Sequence, residues 1–413
     1  MPRPEIQDEI RQRVILAVVD TSEYDVEASI EELKLLVETA GGTVVAEVIQ
    51  RLDKSDSKTY LGPGKLIETL SVIDEVAAEI LIVDTELSAA QFRNIRNAVS
   101  IEVIDRTTLI LDIFAQSATT AEGKIQVELA QLQHRLLTLT GAGEAMSRLG
   151  GGIGTRGPGE TKLETDRRRI RARIAFLQKE IKEIAERRTL TRTRRKKGNI
   201  PIVSLVGYTN VGKSSLLNAL TGAEVLVENR LFATLDSTVR RLSTENMQEI
   251  VVVDTVGFVS RLPHHLVDAF QSTLEEMAQS DIIVKVADGT SSEWEEQLKV
   301  ADEVIAQMNC TDIEQIVVFN KCDLFDTSVQ LPGISVSAKT KEGLDLLLGE
   351  IDRILLNRAI QIKISLPFDK LSLTNIIREK GKVLEEEYIE EGLVMTAVID
   401  KDILHLVEEY ILQ

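Results

Sequence analysis

Gly207-Tyr208-Thr209-Asn210-Val211-Gly212-Lys213-Ser214 follows the apolar run Ile202-Val203-Ser204-Leu205-Val206 and precedes Ser215-Leu216-Leu217-Asn218-Ala219-Leu220. The first of these stretches fits the phosphate-loop pattern G-x-x-x-x-G-K-[ST]. The run before it predicts a buried strand and the run after it opens a helix, so the loop has the context that the pattern requires. Its glycines let the backbone turn tightly enough to aim successive N–H groups at phosphate oxygens, and the helix N-terminus adds a favourable dipole. Lys213 can reach the β- and γ-phosphates, the Ser214 hydroxyl can ligate Mg²⁺, and Ser215 completes the expected nucleotide-binding set of residues 207–215.

Two later stretches extend the reading. Ile250-Val251-Val252-Val253-Asp254 reads as a strand ending in an acid, followed by Thr255, Val256 and Gly257. Asp254 can hold Mg²⁺ directly or through water, and the Gly257 N–H can sense the γ-phosphate because glycine permits close backbone approach. Asn320-Lys321-Cys322-Asp323 stands at the end of the apolar strand 316–319. A carboxylate can accept two hydrogen bonds from the N1 and N2 edge of guanine, and adenine has no matching donors there. Asp323 is the expected acceptor, Asn320 the brace, and the Lys321 stem the cover over the purine face, which selects GTP (and GDP) over ATP. Ser337-Ala338-Lys339 can supply a backbone N–H to the guanine oxygen. Leu231-Phe232-Ala233-Thr234-Leu235 lies where a γ-phosphate-ordered segment belongs, with Thr234 as the mobile Mg²⁺ ligand and Thr238 as its competitor. The expected metal set is therefore Ser214, Thr234 and Asp254. Lys213, Thr234 and Gly257 are the expected catalytic groups.

Phe258 follows Gly257, where a glutamine often orients the attacking water. Phenylalanine can neither donate nor accept, so slow intrinsic hydrolysis is expected unless a partner positions the water. A monovalent cation is another route, since Asn210 sits where some K⁺-dependent GTPases place an oxygen ligand. The bland alternative is that Asn210 only caps the loop.

The 413-residue chain is 43% apolar, enough for several domains. It carries 48 Lys/Arg against 66 Asp/Glu, a net charge of -18, so a role with nucleic acid must come from a local patch. Two cysteines, Cys310 and Cys322, are too few for a disulfide framework, and a reduced, cytoplasmic compartment is expected. Residues 1–12 lack an apolar signal core, and no apolar run is long enough to span a bilayer.

The local patch lies upstream of the phosphate loop. Residues 13–105 alternate strand and helix, with strands at 14–20, 43–50, 80–84 and 101–105, which predicts a small parallel sheet covered by helices. The stretch 60–65 (Tyr-Leu-Gly-Pro-Gly-Lys) is a plain turn or a phosphate or RNA contact. Ile125, Leu129, Leu132, Leu136 and Leu139 form one helical stripe; Leu163, Ile170, Ile174, Leu177, Ile181 and Ile184 form another. They read as an antiparallel hairpin, or as two helices packed on the core. Residues 141–160 between them are glycine-rich with Arg148 and Arg156 interleaved and Lys162 beside them, and read as a loop that folds onto phosphate or RNA, or else as a flexible linker. From Lys162 to Lys197 there are 15 Lys/Arg against 5 Asp/Glu, a one-sided excess that points to a polyanion. Beyond the nucleotide domain, residues 359–413 read as a small α+β appendage with 6 Lys/Arg against 11 Asp/Glu, which suits a protein partner. The expected organisation is an N-terminal α/β domain (1–106), a helical hairpin with a glycine-rich basic loop (107–197), a doubly wound α/β P-loop GTPase domain (198–358) and a C-terminal α+β domain (359–413).

The run 147–161 (Ser-Arg-Leu-Gly-Gly-Gly-Ile-Gly-Thr-Arg-Gly-Pro-Gly-Glu-Thr), with the loop at 60–65, the phosphate loop, 232–236, 254–258 and 320–323, resembles the HflX family of ribosome-associated GTPases over nearly the whole chain. That resemblance implies binding to rRNA and proteins of the large ribosomal subunit, splitting or rescue of stalled or idle ribosomes, and ribosome-stimulated GTP hydrolysis. It also implies a monomer that is cytoplasmic and reaches membranes only peripherally, through ribosomes. A regulatory or scaffold GTPase acting on a protein partner, with incidental turnover, is the alternative reading.

Overall fold

The computed structural model describes residues 11–147, 158–196, 200–222, 231–232, 238–244, 249–261, 274, 276–325, 331–400 and 403–412. The chain divides into two compact units. The first is Met1–Lys182 with Glu228–Asp236 and Val259–Gln271; the second is Glu183–Val227 with Ser237–Phe258 and Ser272–Gln413.

In the first unit, β1 (Gln12–Asp20), β2 (Gly42–Arg51), β3 (Ile80–Val83) and β4 (Glu102–Asp105) form an all-parallel sheet in the order β2-β1-β3-β4. Six consecutive residues of β1 and all four of β3 are buried, as strands covered on both faces must be. Helix α1 (Val26–Thr39) starts where the Asp25 carboxylate accepts from the Ala28 N–H. It turns Ser29, Ile30, Leu33, Leu36 and Val37 inward and gives way to Gly41 at φ 90°. Helix α2 (Pro63–Glu75) opens on Pro63, α3 (Ala89–Ala98) on a Ser88–Gln91 capping box, and α4 (Arg106–Ser117) on Asp105.

Two long helices follow, α5 (Ala121–Ser147) and α6 (Pro158–Lys196). The Arg173 guanidinium donates to both Glu128 oxygens at 2.7 and 2.8 Å, and Arg167 donates to the Leu139 carbonyl at 2.8 Å. These pairings run in opposite directions, so the helices are antiparallel neighbours. Helix α5 also packs on α3 and α4, which joins the two sequence alternatives. Ile170 and Leu177 of the expected stripe are buried, while Arg168, Arg169 and Arg171 are exposed. One expectation is corrected: the segment read as a loop from residue 141 is still helix through Ser147, and helix resumes at Pro158. A glycine inside a helix costs about 1 kcal/mol relative to alanine, which is why the sequence reads as loop there. The core of the glycine run, with Arg148 and Arg156, lies outside the described residues.

In the second unit, β5 (Ile202–Gly207), β6 (Thr238–Ser243), β7 (Glu249–Asp254), β8 (Ile282–Asp288), β9 (Glu314–Asn320) and β10 (Ile334–Ser335) form a sheet ordered β10-β9-β8-β5-β7-β6. Only β6 runs antiparallel to its neighbour. Helices α7 (Lys213–Thr221), α8 (Trp294–Gln307) and α9 (Leu344–Arg358) belong to this layer. The core joins Leu205, Val252, Val284 and Val318 of the strands to Leu216 of α7 and Leu347 of α9. This is the doubly wound sheet that the sequence predicts. Strand order reverses beside β5, which places the loop after β5 at the sheet's switch point. The C-terminal residues add an antiparallel sheet, β11 (Ala359–Pro367), β13 (Gly392–Asp400) and β12 (Gly381–Ile389), with α10 (Ser372–Lys380) and a short α11 (Leu404–Val407). Ile364, Leu366, Ile377, Met395 and Ile399 form its core. Among the described residues no helix is long and apolar enough to cross a membrane. Both cysteines are buried free thiols.

Candidate nucleotide site

The site grows from the end of β5. Gly207 has φ 151°, and a Cβ there would stand 2.2 Å from the Val286 carbonyl oxygen of β8. Only glycine lets the chain pass so close to its neighbour strand. The loop then uses left-handed backbone at Asn210 (φ 61°) and Gly212 (φ 89°) before α7 starts at Lys213. Asn210 is exposed at the tip.

The Lys213 side chain folds back over this loop. Its ammonium donates to the carbonyls of Gly207 at 2.9 Å and Tyr208 at 2.7 Å. Burial lowers its pKa to about 8, against the opposing pull of Asp254. Phosphates beside the amine reverse that shift, because a nearby negative charge favours the ammonium. Nucleotide binding is therefore expected to take up protons near pH 8 and fewer at lower pH. Affinity should fall as pH rises through 8. Titration calorimetry in buffers of different ionisation heat checks this; a binding heat at pH 8 that ignores the buffer contradicts it.

Ser214 and Asp254 meet at the head of β7. The Ser214 hydroxyl donates to Asp254 Oδ2 at 2.6 Å, and Asp254 is 1% exposed. Two hard oxygen donors held together at a phosphate loop fit Mg²⁺, which takes one or two protein ligands and completes its shell with phosphate and water. Among the described residues no cluster of three or more His, Cys, Asp or Glu could hold a metal without such help. After Asp254, the Phe258 N–H donates to the Gly207 carbonyl at 3.0 Å, and the Thr209 N–H donates to the Phe258 carbonyl at 2.7 Å. This two-bond zipper carries Gly257 against the loop. A Cβ on Gly257 would lie 2.7 Å from Thr209 Cγ2 and 3.1 Å from Lys213 Nζ.

The residues expected at the base converge at the end of β9. Asn320 Nδ2 donates to the Val211 carbonyl at 2.8 Å, and its Oδ1 accepts from the Ala338 N–H at 3.0 Å. The side chain thus braces phosphate loop and base loop together. The Ala338 amide is engaged by this brace rather than turned outward. The Ser337 hydroxyl donates to Asp323 Oδ1 at 2.6 Å. Lys321 has φ 67°, and its ammonium is anchored on Asp288 Oδ2 at 2.6 Å. The reading of the sequence missed Asp288; an acid closing the apolar strand Ile282–Asp288 was the available signal.

The segment containing Thr234 behaves differently. Ala233, Thr234 and Leu235 lie outside the described residues. Leu231 and Phe232, expected beside the nucleotide, are buried within the first unit. The Phe232 ring meets Phe114 edge-on at 4.4 Å, and the Leu231 N–H donates to Thr39 Oγ1 at 3.3 Å. Their apolar side chains are satisfied by that packing. Ser260 and Arg261 also belong to the first unit. Arg261 pairs with Asp84 at 2.7 Å, donates to Ser29 and lies over the Tyr24 ring at 4.1 Å. The Ser260 hydroxyl donates to Glu32, which also pairs with the buried Arg106; Arg106 reaches Asp84 at 2.8 Å.

Four family models cover this chain. They are GTP-binding GTPase N-terminal over residues 27–115, GTP-binding GTPase Middle Region over 117–195, 50S ribosome-binding GTPase over 202–321 and HflX C-terminal domain over 325–402. GTPase HflX of Lacrimispora saccharolytica is 46% identical over 402 residues, covering 96% of this chain and 95% of the relative. That of Escherichia coli K12 is 37% identical over 389 residues, covering 92% and 91%. Among solved structures, a GTP-binding protein from Sulfolobus solfataricus in complex with GDP is 28% identical, with a TM-score of 0.44 and coverage of 84% of this chain and 99% of that one. With relatives above 30% identity matched end to end over a phosphate loop, an acid-tipped β7 and a braced Asn320–Asp323, the chain belongs to the HflX family of GTPases.

Proposed function

We propose that the protein is a Mg²⁺-dependent GTP phosphohydrolase that binds the large ribosomal subunit and splits or rescues stalled or idle ribosomes, with slow turnover until the ribosome stimulates it. The observation that carries this reading is the exposed basic face of α6, at Arg168, Arg169 and Arg171, in a chain of net charge -18 whose residues 202–321 match a 50S ribosome-binding GTPase model. One-sided positive charge on a long helix is the electrostatic footprint of a polyanion partner.

In this reading Asp323 recognises the guanine edge. Lys213 and the loop amides of residues 208–215 bind the phosphates. Ser214, Asp254 and Thr234 hold Mg²⁺, which neutralises charge between the β- and γ-phosphates when bound. The Gly257 amide senses the γ-phosphate. Phe258, 3% exposed and zipped to the loop, supplies no polar group, which accounts for a slow isolated enzyme. The exposed Asn210 is the proposed K⁺ ligand. The protein works as a monomer in the cytoplasm and meets membranes only through ribosomes.

Co-sedimentation with purified large subunits tests the reading. Association is expected with a non-hydrolysable GTP analogue and its loss with GDP. GTP turnover unaltered by ribosomes, or sedimentation indifferent to nucleotide, overturns it. Turnover compared in K⁺ and Na⁺ at equal ionic strength tests the cation separately.

A further inference from the structure

Asp288 closes β8 and pairs in register with Asn320, the last residue of β9. Lys321 follows in left-handed backbone at φ 67°, a conformation that is unfavourable for lysine and is held here by the surrounding structure. Its side chain crosses from the end of β9 to the end of β8, where the ammonium meets Asp288 Oδ2 at 2.6 Å. The carboxylate is itself fixed. Its Oδ1 accepts from the Thr290 N–H at 2.9 Å and from the Thr290 hydroxyl at 2.6 Å. The Asp288 N–H donates to Gln297 Oε1 of α8 at 3.3 Å. The Lys321 side chain is 30% exposed and that of Asp288 15%, so the pair is sheltered rather than a loose surface contact.

The stem of Lys321 is the expected cover of the purine face. Lysine is among the side chains that lose most rotamer freedom when they are ordered. A stem free at its far end would have to be ordered by each nucleotide that arrives, and affinity would bear that cost. Held at its ammonium, the stem is ordered in advance. The clamp also commits the charge to the neighbouring strand, so the methylenes are what the base meets.

We propose that Asp288 is a positioning residue for guanine nucleotides: it holds Lys321 stretched across the ends of β8 and β9, and so keeps one wall of the base cleft preformed. The inference rests on the reading of the site as one for GDP and GTP. It goes beyond that reading in adding an acid from outside the Asn320–Asp323 stretch, which acts through Lys321 and not on the base. GDP and GTP carry the same base, so the effect belongs to both.

Full-length variants Asp288→Asn, Asp288→Ala and Lys321→Met test it, together with each Asp288 change combined with Lys321→Met. Asparagine keeps an oxygen for Thr290 and removes the charge that holds the ammonium. Methionine keeps an unbranched apolar stem and has no ammonium. Affinities for fluorescent GDP and for a fluorescent non-hydrolysable GTP analogue are measured for each, with melting temperatures. Asp288→Asn and Asp288→Ala are each expected to weaken both nucleotides about 5- to 20-fold. The ratio of the two affinities should stay within about twofold of the parent's, because the phosphate end is untouched. In the Lys321→Met background the same changes should cost less than about twofold, since no ammonium is left to hold. An acid that only shaped the turn at Thr290 would give the same loss in both backgrounds, and that result overturns the proposal. So does parent-like affinity in both Asp288 variants. A parent that binds neither nucleotide overturns the reading of the site itself.

Discussion

Asp84→Ala is expected to destabilise the first unit by about 3–5 kcal/mol, the largest loss of stability foreseen for a single side chain in this protein. Asp84 is 0% exposed and receives Arg106 at 2.8 Å, Arg261 at 2.7 Å and the Ser29 hydroxyl at 2.7 Å. Arg106 is 3% exposed. Removing the carboxylate leaves that guanidinium buried with one of its two acids gone, and desolvation is then no longer offset by attraction. Asp84→Asn should recover part of the loss, because an amide oxygen still accepts while the charge is missing. Calorimetric unfolding of the full chain checks this: the transition assigned to the first unit should drop, and that of the second should not. Equal melting of the Asp84→Ala variant and the parent would mean that the acid contributes nothing net.

Asp323→Asn is expected to weaken GTP binding by about 10² to 10⁴, since two hydrogen bonds to a charged acceptor are each worth about 1.5–3 kcal/mol. The carboxylate is already steered by the Ser337 hydroxyl at 2.6 Å on Oδ1. An amide in its place presents a donor where guanine also presents a donor, so the loss includes repulsion as well as absence. Xanthine carries an oxygen where guanine has its 2-amino group, and xanthosine triphosphate should bind the variant better than GTP does. Competition binding with the three purine triphosphates reads the outcome. Undiminished preference for GTP would remove Asp323 from base recognition.

The sequence made the second unit's sheet legible because its strands end in the residues that the motifs single out. Asp254 closes β7, Asn320 closes β9 and Gly207 closes β5, so each motif fixes the register of its strand. The parallel sheet of the first unit was equally visible from its alternation of buried strands and amphipathic helices. Helix α4 was not, because Arg106-Thr107-Thr108-Leu109-Ile110-Leu111-Asp112-Ile113-Phe114 is buried on most of its circumference and shows no clean stripe. The extension of α5 through Gly141 and Gly143 was hidden because glycine disfavours helix locally. The charge network of Glu32, Asp84, Arg106, Ser260 and Arg261 has no local signature at all. Its members lie up to 229 positions apart, as Glu32 and Arg261 do, and only the fold brings them together.

The position of the Asn320 amide has a consequence for the phosphate loop itself. A Cβ at Gly212 would stand 2.3 Å from Asn320 Nδ2. The glycine before Lys213 is therefore demanded by left-handed backbone and also by a side chain that arrives from the end of β9. The loop before α7 and the loop at Ala338 share this one planar group, so a substitution at Asn320 disturbs both.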